Sequence, residues 1–294
     1  MNNITKNLVL FPFNVLYKIN PKFEIGLLYR VKSGKRISFK NPITFNEKLQ
    51  WIKLYDKNPL MPECCDKFKV REYVENCGCG QILNALLWEG FDPTDIPFEK
   101  LPSQFVIKVT HGSTFNIICK DKAKLDIEKT IKKLNRWLKA KYLSCYGEWF
   151  YGIVKPRIIV EKYLEDSDSK VGGLTDYKVF CFNGETKYVG VVTGRFTDTC
   201  AHIFDADWNL MENVTKGYPC SNQPIPKPHC LNEMLEYSRK LSNKFLHARV
   251  DFYIVNQQIY FGEITFTDGA GFTKILPNEF NVEMGNCLKL PIDK

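Results

Sequence analysis

Ala248-Arg249-Val250-Asp251-Phe252-Tyr253, followed by Ile259-Tyr260-Phe261-Gly262-Glu263-Ile264-Thr265, is the stretch that decides the fold. Both runs are rich in β-branched and aromatic residues, and Asn256-Gln257-Gln258 divides them, which predicts a hairpin. In the first run Val250, Phe252 and Ile254 alternate with Asp251, Tyr253 and Val255. Each run carries one acid, Asp251 and Glu263. Two carboxylates on adjacent antiparallel strands and a shared face lie only several Å apart. They repel unless a cation sits between them. A hard ion such as Mg²⁺ is held by one or two carboxylates plus substrate phosphates. The hairpin therefore predicts a platform for metal and nucleotide. The competing reading is an edge hairpin with solvated acids, and the rest of the chain has to decide.

The chain has 294 residues, 44% of them hydrophobic, enough for one large domain or two closely packed ones. Its net charge of +8 draws anions, whether nucleotides, phospholipid surfaces or acidic polymers. Eleven cysteines without a repeating spacing fit reduced core residues of a cytoplasmic protein better than a disulfide framework. Cys64, Cys65, Cys77 and Cys79 lack the CxxC spacing of a structural zinc site. Residues 1–43 combine an apolar run, Leu8 to Tyr17, with Arg30, Lys32, Lys35, Arg36 and Lys40. The run is shorter than the roughly 20 residues that span a bilayer, and Pro12, Asn14 and Lys18 interrupt it. It does not read as a signal peptide. A soluble protein is expected, with this segment either a solvated face or a contact with anionic lipid at the inner face of the membrane.

Thr44 and Glu47 form a capping box that opens a helix through Phe45, Leu49 and Ile52. A second helix is expected from Asp66 to Glu75, stopped by Gly78 and Gly80. Residues 44–102 read as a helical and α/β lead-in module. Gln104 to Thr110 is a strand that runs into His111-Gly112-Ser113-Thr114, and a second strand follows at Ile117. A strand lysine, Lys108, ahead of a small-residue loop can surround phosphates with a point charge and backbone N–H donors. An ordinary hairpin with an exposed lysine is the plainer reading. Leu125 to Tyr142 has a helical apolar stripe, and Pro156 to Leu164 is a strand leading into a polar loop. Asp176 to Val192 is a hairpin about Asn183-Gly184. Ala201 to Trp208 adds a strand, Asn232 to Leu246 a helix, and Thr267-Asp268-Gly269-Ala270-Gly271 a glycine-rich loop.

In this order the pieces resemble the ATP-grasp ligases, specifically the teichuronopeptide-synthesis type (TupA-like) branch associated with bacterial surface polysaccharides. The resemblance covers residues 44–290. It rests on Phe105-Val106-Ile107-Lys108 with His111-Gly112-Ser113, on Val160-Glu161-Lys162-Tyr163-Leu164, on Asp176-Tyr177-Lys178-Val179-Phe180-Cys181-Phe182-Asn183-Gly184, and on the two runs quoted first. It implies an α+β ATP-grasp fold in which two α+β subdomains sandwich ATP, with a small lid subdomain over 103–168 and a large subdomain over 169–294 behind the N-terminal lead-in. It also implies residue roles. Lys108 neutralises the α/β-phosphates, and His111, Gly112 and Ser113 fold over them. Glu161 meets the adenine amino group, while the backbone of Lys162, Tyr163 and Leu164 reads the adenine edge. Asp168 is the candidate for the ribose hydroxyls, and Lys178 faces the γ-phosphate. Asp251 and Glu263, with Thr265, hold one or two Mg²⁺ ions. Arg249 offsets the charge on the transferring phosphoryl group.

The implied reaction is amide formation through an acyl phosphate, joining an amino acid or small amine to a uronic acid of a capsule or other surface glycan. No nucleic-acid partner is expected. Two positions depart from the family pattern. Thr265 stands where an asparagine is common, and Thr114 where a second lid glycine is expected. Three rival readings compete: a glycosyltransferase using Asp205-Ala206-Asp207 as a DxD motif, a kinase on the same scaffold, and a catalytically silent binding module, which the intact Lys108, Lys178, Arg249, Asp251 and Glu263 oppose.

Overall fold

The computed structural model describes residues 3–165, 173–194, 198–219 and 225–292. In chain order the elements are α1 (Asn3–Ile19), α2 (Pro21–Ser33), α3 (Phe45–Tyr55), α4 (Met61–Cys65), α5 (Lys69–Asn76), β1 (Leu86–Gly90), β2 (Phe105–Val109), β3 (Asn116–Cys119), α6 (Ile127–Leu138), β4 (Ile158–Lys162), β5 (Asp176–Phe182), β6 (Glu185–Thr193), β7 (Cys200–Asp205), β8 (Thr215–Lys216), α7 (Leu231–Ser242), β9 (His247–Val255), β10 (Gln258–Thr265), β11 (Ile275–Leu276) and α8 (Asn278–Cys287).

The quoted hairpin is β9–β10. Asn256 and Gln257 both take positive φ, 48° and 66°, so the turn has two residues and the twist that suits flanking strands. Asn183 and Gly184 repeat the device between β5 and β6, with φ of 49° and 84°. The two hairpins join side by side in a five-stranded antiparallel sheet of order β10-β9-β5-β6-β7. A four-stranded antiparallel sheet of order β1-β4-β2-β3 forms the second layer system. Its outer strand β1 comes from the lead-in stretch and pairs with β4. The mixed α+β architecture expected from the sequence is present.

Each sheet has its own core. On the large sheet Val250, Phe252, Val179 and Cys181 are buried with Leu235 and Leu241 of α7. Phe45, Leu49 and Ile52 of α3 belong to that same cluster, so the lead-in helix is part of the large core. Burying each such side chain contributes about 1.5–3 kcal/mol. The small core gathers Phe105, Ile107 and Val109 of β2, Ile158 and Val160 of β4, and Leu134 of α6. The Thr44–Glu47 capping box forms as expected.

The N-terminal segment differs from its sequence reading. The apolar run is not interrupted: α1 continues through Pro12, and the Asn14 amide donates to the Leu10 carbonyl. Asn20 caps the next helix, Pro21 opens it, and Gly34 closes it in the left-handed region. Among the described residues no helix is long and apolar enough to cross a membrane.

The hairpin carries one irregularity. The register slips between Phe261 and Glu263, leaving Gly262 as the extra residue of a bulge. A Cβ at Gly262 would lie 2.9 Å from the Asp251 carbonyl oxygen. The bulge sets Glu263 opposite Asp251. Gly262→Ala should therefore destabilise the protein by about 1–3 kcal/mol through overpacking. Urea unfolding checks this, and an unchanged midpoint would show that the close approach carries no constraint.

Candidate active site

One face of the large sheet collects the predicted chemistry because side chains two residues apart share a face. Lys178 of β5 lies opposite Asp251 of β9, and Asp176 precedes it by two. Glu263 of β10 lies opposite Asp251, and Thr265 opposite Arg249. Three adjacent strands thus bring Asp176, Lys178, Arg249, Asp251, Glu263 and Thr265 together.

The contacts are charge-paired throughout. Arg249 grips Asp251 with two bonds, Nε to Oδ1 and Nη2 to Oδ2, both 2.7 Å. Lys178 Nζ reaches the same Oδ2 at 2.5 Å and lies 3.8 Å from Asp176. Arg249 Nη2 also meets Glu263 at 3.3 Å and donates to the Thr265 hydroxyl at 3.2 Å. The cation that two facing carboxylates require is therefore a guanidinium. Burial would raise the Asp251 carboxyl, but Arg249 and Lys178 outweigh it and hold the group below its ordinary range.

Two further residues complete the cluster, and neither was assigned a role from the sequence. Asp268, in the glycine-rich loop, ion-pairs with both Arg249 and Lys216. Lys216, in the two-residue strand β8, is buried and stands 5.1 Å over the Phe180 ring. Burial, then the charges of Arg249 and Lys178, push its ammonium well below the usual lysine range. The glycine-rich loop was visible beforehand as a motif without a partner. Lys216 carried no signal, being an isolated lysine in a short strand.

The residues expected around the nucleotide lie on the facing sheet. Lys108 of β2 forms an ion pair with Glu161 of β4 at 2.6 Å, and Arg71 of α5 reaches Glu161 at 3.5 Å. The Lys67 ammonium donates to the Gly112 carbonyl at 2.8 Å. Burial lowers Lys67; Glu263 pulls it back up and Lys108 adds to the lowering. Lys67 and Arg71 belong to a stretch read only as a helix. With Lys108, Glu161 and Gly262 they line a cavity of about 20 Å³ between the two sheets. That is room for about one water molecule.

Three of the expected nucleotide contacts have partners within the protein. The Lys162 N–H donates to the Ala85 carbonyl, and its carbonyl accepts from the Asn84 side chain. Pairing with the lead-in chain therefore engages both of its backbone groups. Glu161 is held by Lys108 and Arg71. His111 Nε2 lies 2.9 Å from the Ala140 carbonyl. Asp168 lies outside the described residues. The lid loop also explains its missing glycine: Thr114 has φ 64°, a conformation glycine takes freely and other residues at about 1–3 kcal/mol. Ser113 is exposed in that loop. Asp205, of the DxD motif, spends its carboxylate on the N–H groups of Asp207 and Asn209 and on the Asn209 amide, a turn-capping role.

A magnesium ion suits the donor set. Among the described residues no three acids, histidines or cysteines converge on one point, but Mg²⁺ needs only one or two carboxylates when phosphates complete its shell. Asp251 and Glu263 sit opposite each other, the Thr265 hydroxyl is 3.2 Å from Glu263, and the Glu263 side chain is 49% exposed.

The family described as TupA-like ATPgrasp matches residues 47–289, and the chain belongs to it. Solved structures similar to this chain include an L-amino acid ligase from Bacillus licheniformis, at 15% identity and TM-score 0.47, with 77% of this chain and 49% of that one covered. A D-alanine–D-alanine ligase from Bacillus anthracis complexed with ATP gives 14% and 0.45, over 77% of this chain and 63% of that one. An ADP complex of PurK, N5-carboxyaminoimidazole ribonucleotide synthetase, gives 15% and 0.44, over 78% and 52%. The chain thus spans about half to two thirds of the length of these proteins. No curated protein matches the sequence.

Asp251 is the electrostatic hub, and its removal would strand Arg249 and Lys178. Asp251→Asn should cost about 3–5 kcal/mol near neutral pH, as for other broken buried pairs. A carboxylate held low in the fold contributes stability above its unfolded value and loses it as pH falls through the folded one. The gap between wild type and variant should therefore close below about pH 4. Chemical denaturation from pH 3 to 7 measures it, and a pH-independent gap would contradict the assignment.

Proposed function

We propose that this chain is an ATP-dependent carboxylate–amine ligase. The observation that supports it best is the Arg249–Asp251–Lys178 cluster, with Glu263 opposite, facing a second sheet that carries Lys108 and Glu161. ATP would lie between the sheets. Asp251, Glu263 and Thr265 would hold Mg²⁺, which when bound offsets charge on the phosphates. The chain's own work is positioning and charge. Lys108, Lys67 and Arg71 would take the α/β-phosphates, Lys178 the γ-phosphate, and Arg249 the carboxylate under attack and the acyl phosphate formed from it. An amine then displaces phosphate and leaves an amide.

The acid is proposed to be a uronic acid of a capsule or other surface glycan, and the amine an amino acid or small amine. The family resemblance supports this substrate class. The proposed location is the cytoplasmic face of the membrane, and here the N-terminal helices supply an observation. Phe11, Val15 and Ile19 of α1, and Phe23, Leu27 and Val31 of α2, form two exposed rows at four-residue spacing. Glu24, the one acid among residues 1–40, is buried, so the exposed charges there are all basic. Apolar rows beside basic side chains suit an anionic lipid surface.

Glu263 is the cleanest test of the chemistry because its side chain is half exposed and its loss unpairs less than the loss of Asp251. With MgATP and a panel of uronates and amines, Glu263→Gln should lower ADP release about 100-fold or more while keeping the wild-type unfolding midpoint. Wild-type turnover would remove the metal assignment. A glycosyltransferase would instead consume sugar nucleotide and ignore ATP, and a kinase would leave phosphate on its acceptor.

For the membrane contact, the full chain should sediment with phosphatidylglycerol vesicles at low salt. Phe11→Glu with Phe23→Glu should abolish this without altering ADP release. Equal binding by the double variant would refute the contact.

A further inference from the structure

A cavity of about 720 Å³ lies apart from the proposed nucleotide cleft, and neither Lys108, Lys178, Arg249, Asp251 nor Glu263 lines it. Its volume falls in the range of small-molecule sites. The walls include Tyr142, Trp149 and Tyr151, and Lys139 and Lys141 stand exposed at the rim. Glu148 is the one acid in the lining, and it is buried.

The cavity borders the reaction centre. The Glu148 carboxylate accepts a hydrogen bond from the Thr267 hydroxyl. The next residue, Asp268, ion-pairs with Arg249. Tyr151, in the cavity wall, lies close enough to Glu263 and Arg249 for both charges to act on its phenol. His111, at the foot of the lid loop, closes another side. A molecule in this cavity therefore lies beside the residues proposed to carry the acyl phosphate.

An ATP-grasp ligase has to solve one problem that the nucleotide site does not address. Amines arrive as ammonium ions, which have no lone pair for attack, so a base within reach must take a proton. We propose that this cavity is the amine site and that Glu148, at its floor, binds the ammonium group and receives that proton. This rests on the ligase reading above. The class of molecule follows from the lining: a primary amine whose far end bears an anionic group that meets Lys139 and Lys141, with its carbon skeleton against the aromatic walls.

In the step itself, the amine gives one proton to Glu148 and its freed lone pair forms the C–N bond to the acyl carbon. The C–O bond to phosphate then breaks, and the second proton lost from nitrogen leaves on the phosphate. The groups that bear on Glu148 suit the task. Burial raises its carboxyl, against Lys53 and the Thr267 bond, which lower it. Lys53 of α3, buried, donates to the Tyr146 and Ala270 carbonyls. Glu24 of α2 lies close enough to Lys53 to feel its charge. Cys65 and Tyr151 face the same carboxylate.

Hydroxylamine separates base catalysis from everything upstream, because near neutrality it is already unprotonated and captures acyl phosphates without help. The test uses the full chain with MgATP and a uronate panel, first with hydroxylamine and then with the twenty common amino acids, with products scored by mass. Glu148→Gln should keep hydroxamate formation within about threefold of wild type, which also reports an intact fold. Its amide formation should fall about 100-fold or more. Lys139→Glu with Lys141→Glu, at the exposed rim, should raise KM for the amino acid about tenfold and leave hydroxamate kinetics unchanged. Wild-type amide rates in Glu148→Gln, or parallel loss of both products, would overturn the proposal. So would a wild type that makes hydroxamate but no amide with any amino acid. If the wild type forms neither hydroxamate nor ADP with any acid, the ligase reading itself falls.

Discussion

Two acids face each other across a β-bulge, and a buried guanidinium lies between them. That constraint orders the rest of the structure. Asp251 and Glu263 could not be held opposite each other without a positive charge, and Arg249 supplies it with two bonds to one acid and a contact to the other. Lys178 adds a second cation from the neighbouring strand, and Asp268 balances Arg249 and Lys216 from the loop beyond. Arg249, Asp251 and Lys216 tolerate burial because each has a counter-charge within reach. The network is also an arrangement that a Mg²⁺–phosphate complex can exchange into, since the cations now held by Asp251 are those that phosphates would attract.

The hairpins and the site face were legible in the sequence because both depend on a period of two. Once Asp251 and Glu263 are assigned to paired strands, Arg249 and Thr265 fall on the same face, and the Asn183-Gly184 turn places Lys178 beside them. Interactions that need the third dimension were not legible. Lys216 and Asp268 reach the cluster from β8 and a loop, Lys67 and Arg71 from a helix read only for its apolar stripe, and β1 from a segment with no evident partner. The Lys162 backbone was assigned to a ligand because nothing in the sequence shows that Asn84 and Ala85 occupy it. Pro12 misled in the opposite direction. A proline inside a helix costs about 3 kcal/mol, yet α1 continues through it and packs against α2.

The cavity beside Lys108 and Glu161 and the cavity beside Glu148 differ sharply in size. The gap between the sheets holds little more than a water, while the cavity beside Glu148 is already large enough for a small molecule. In the proposed nucleotide site, Lys108 would exchange Glu161, and Lys178 would exchange Asp251, for phosphates. The loop with Thr114 at positive φ directly follows the strand that carries Lys108. Binding energy from the nucleotide would go partly into breaking pairs that stabilise the empty protein.

A crystal structure of the full chain with MgADP tests this exchange directly. The account predicts a magnesium ion about 2.0–2.1 Å from oxygens of Asp251 and Glu263, with the Lys178 ammonium moved off Asp251 toward the phosphate side. A nucleotide bound elsewhere, or bound between the sheets with no metal at this pair and Lys178 still on Asp251, would contradict it.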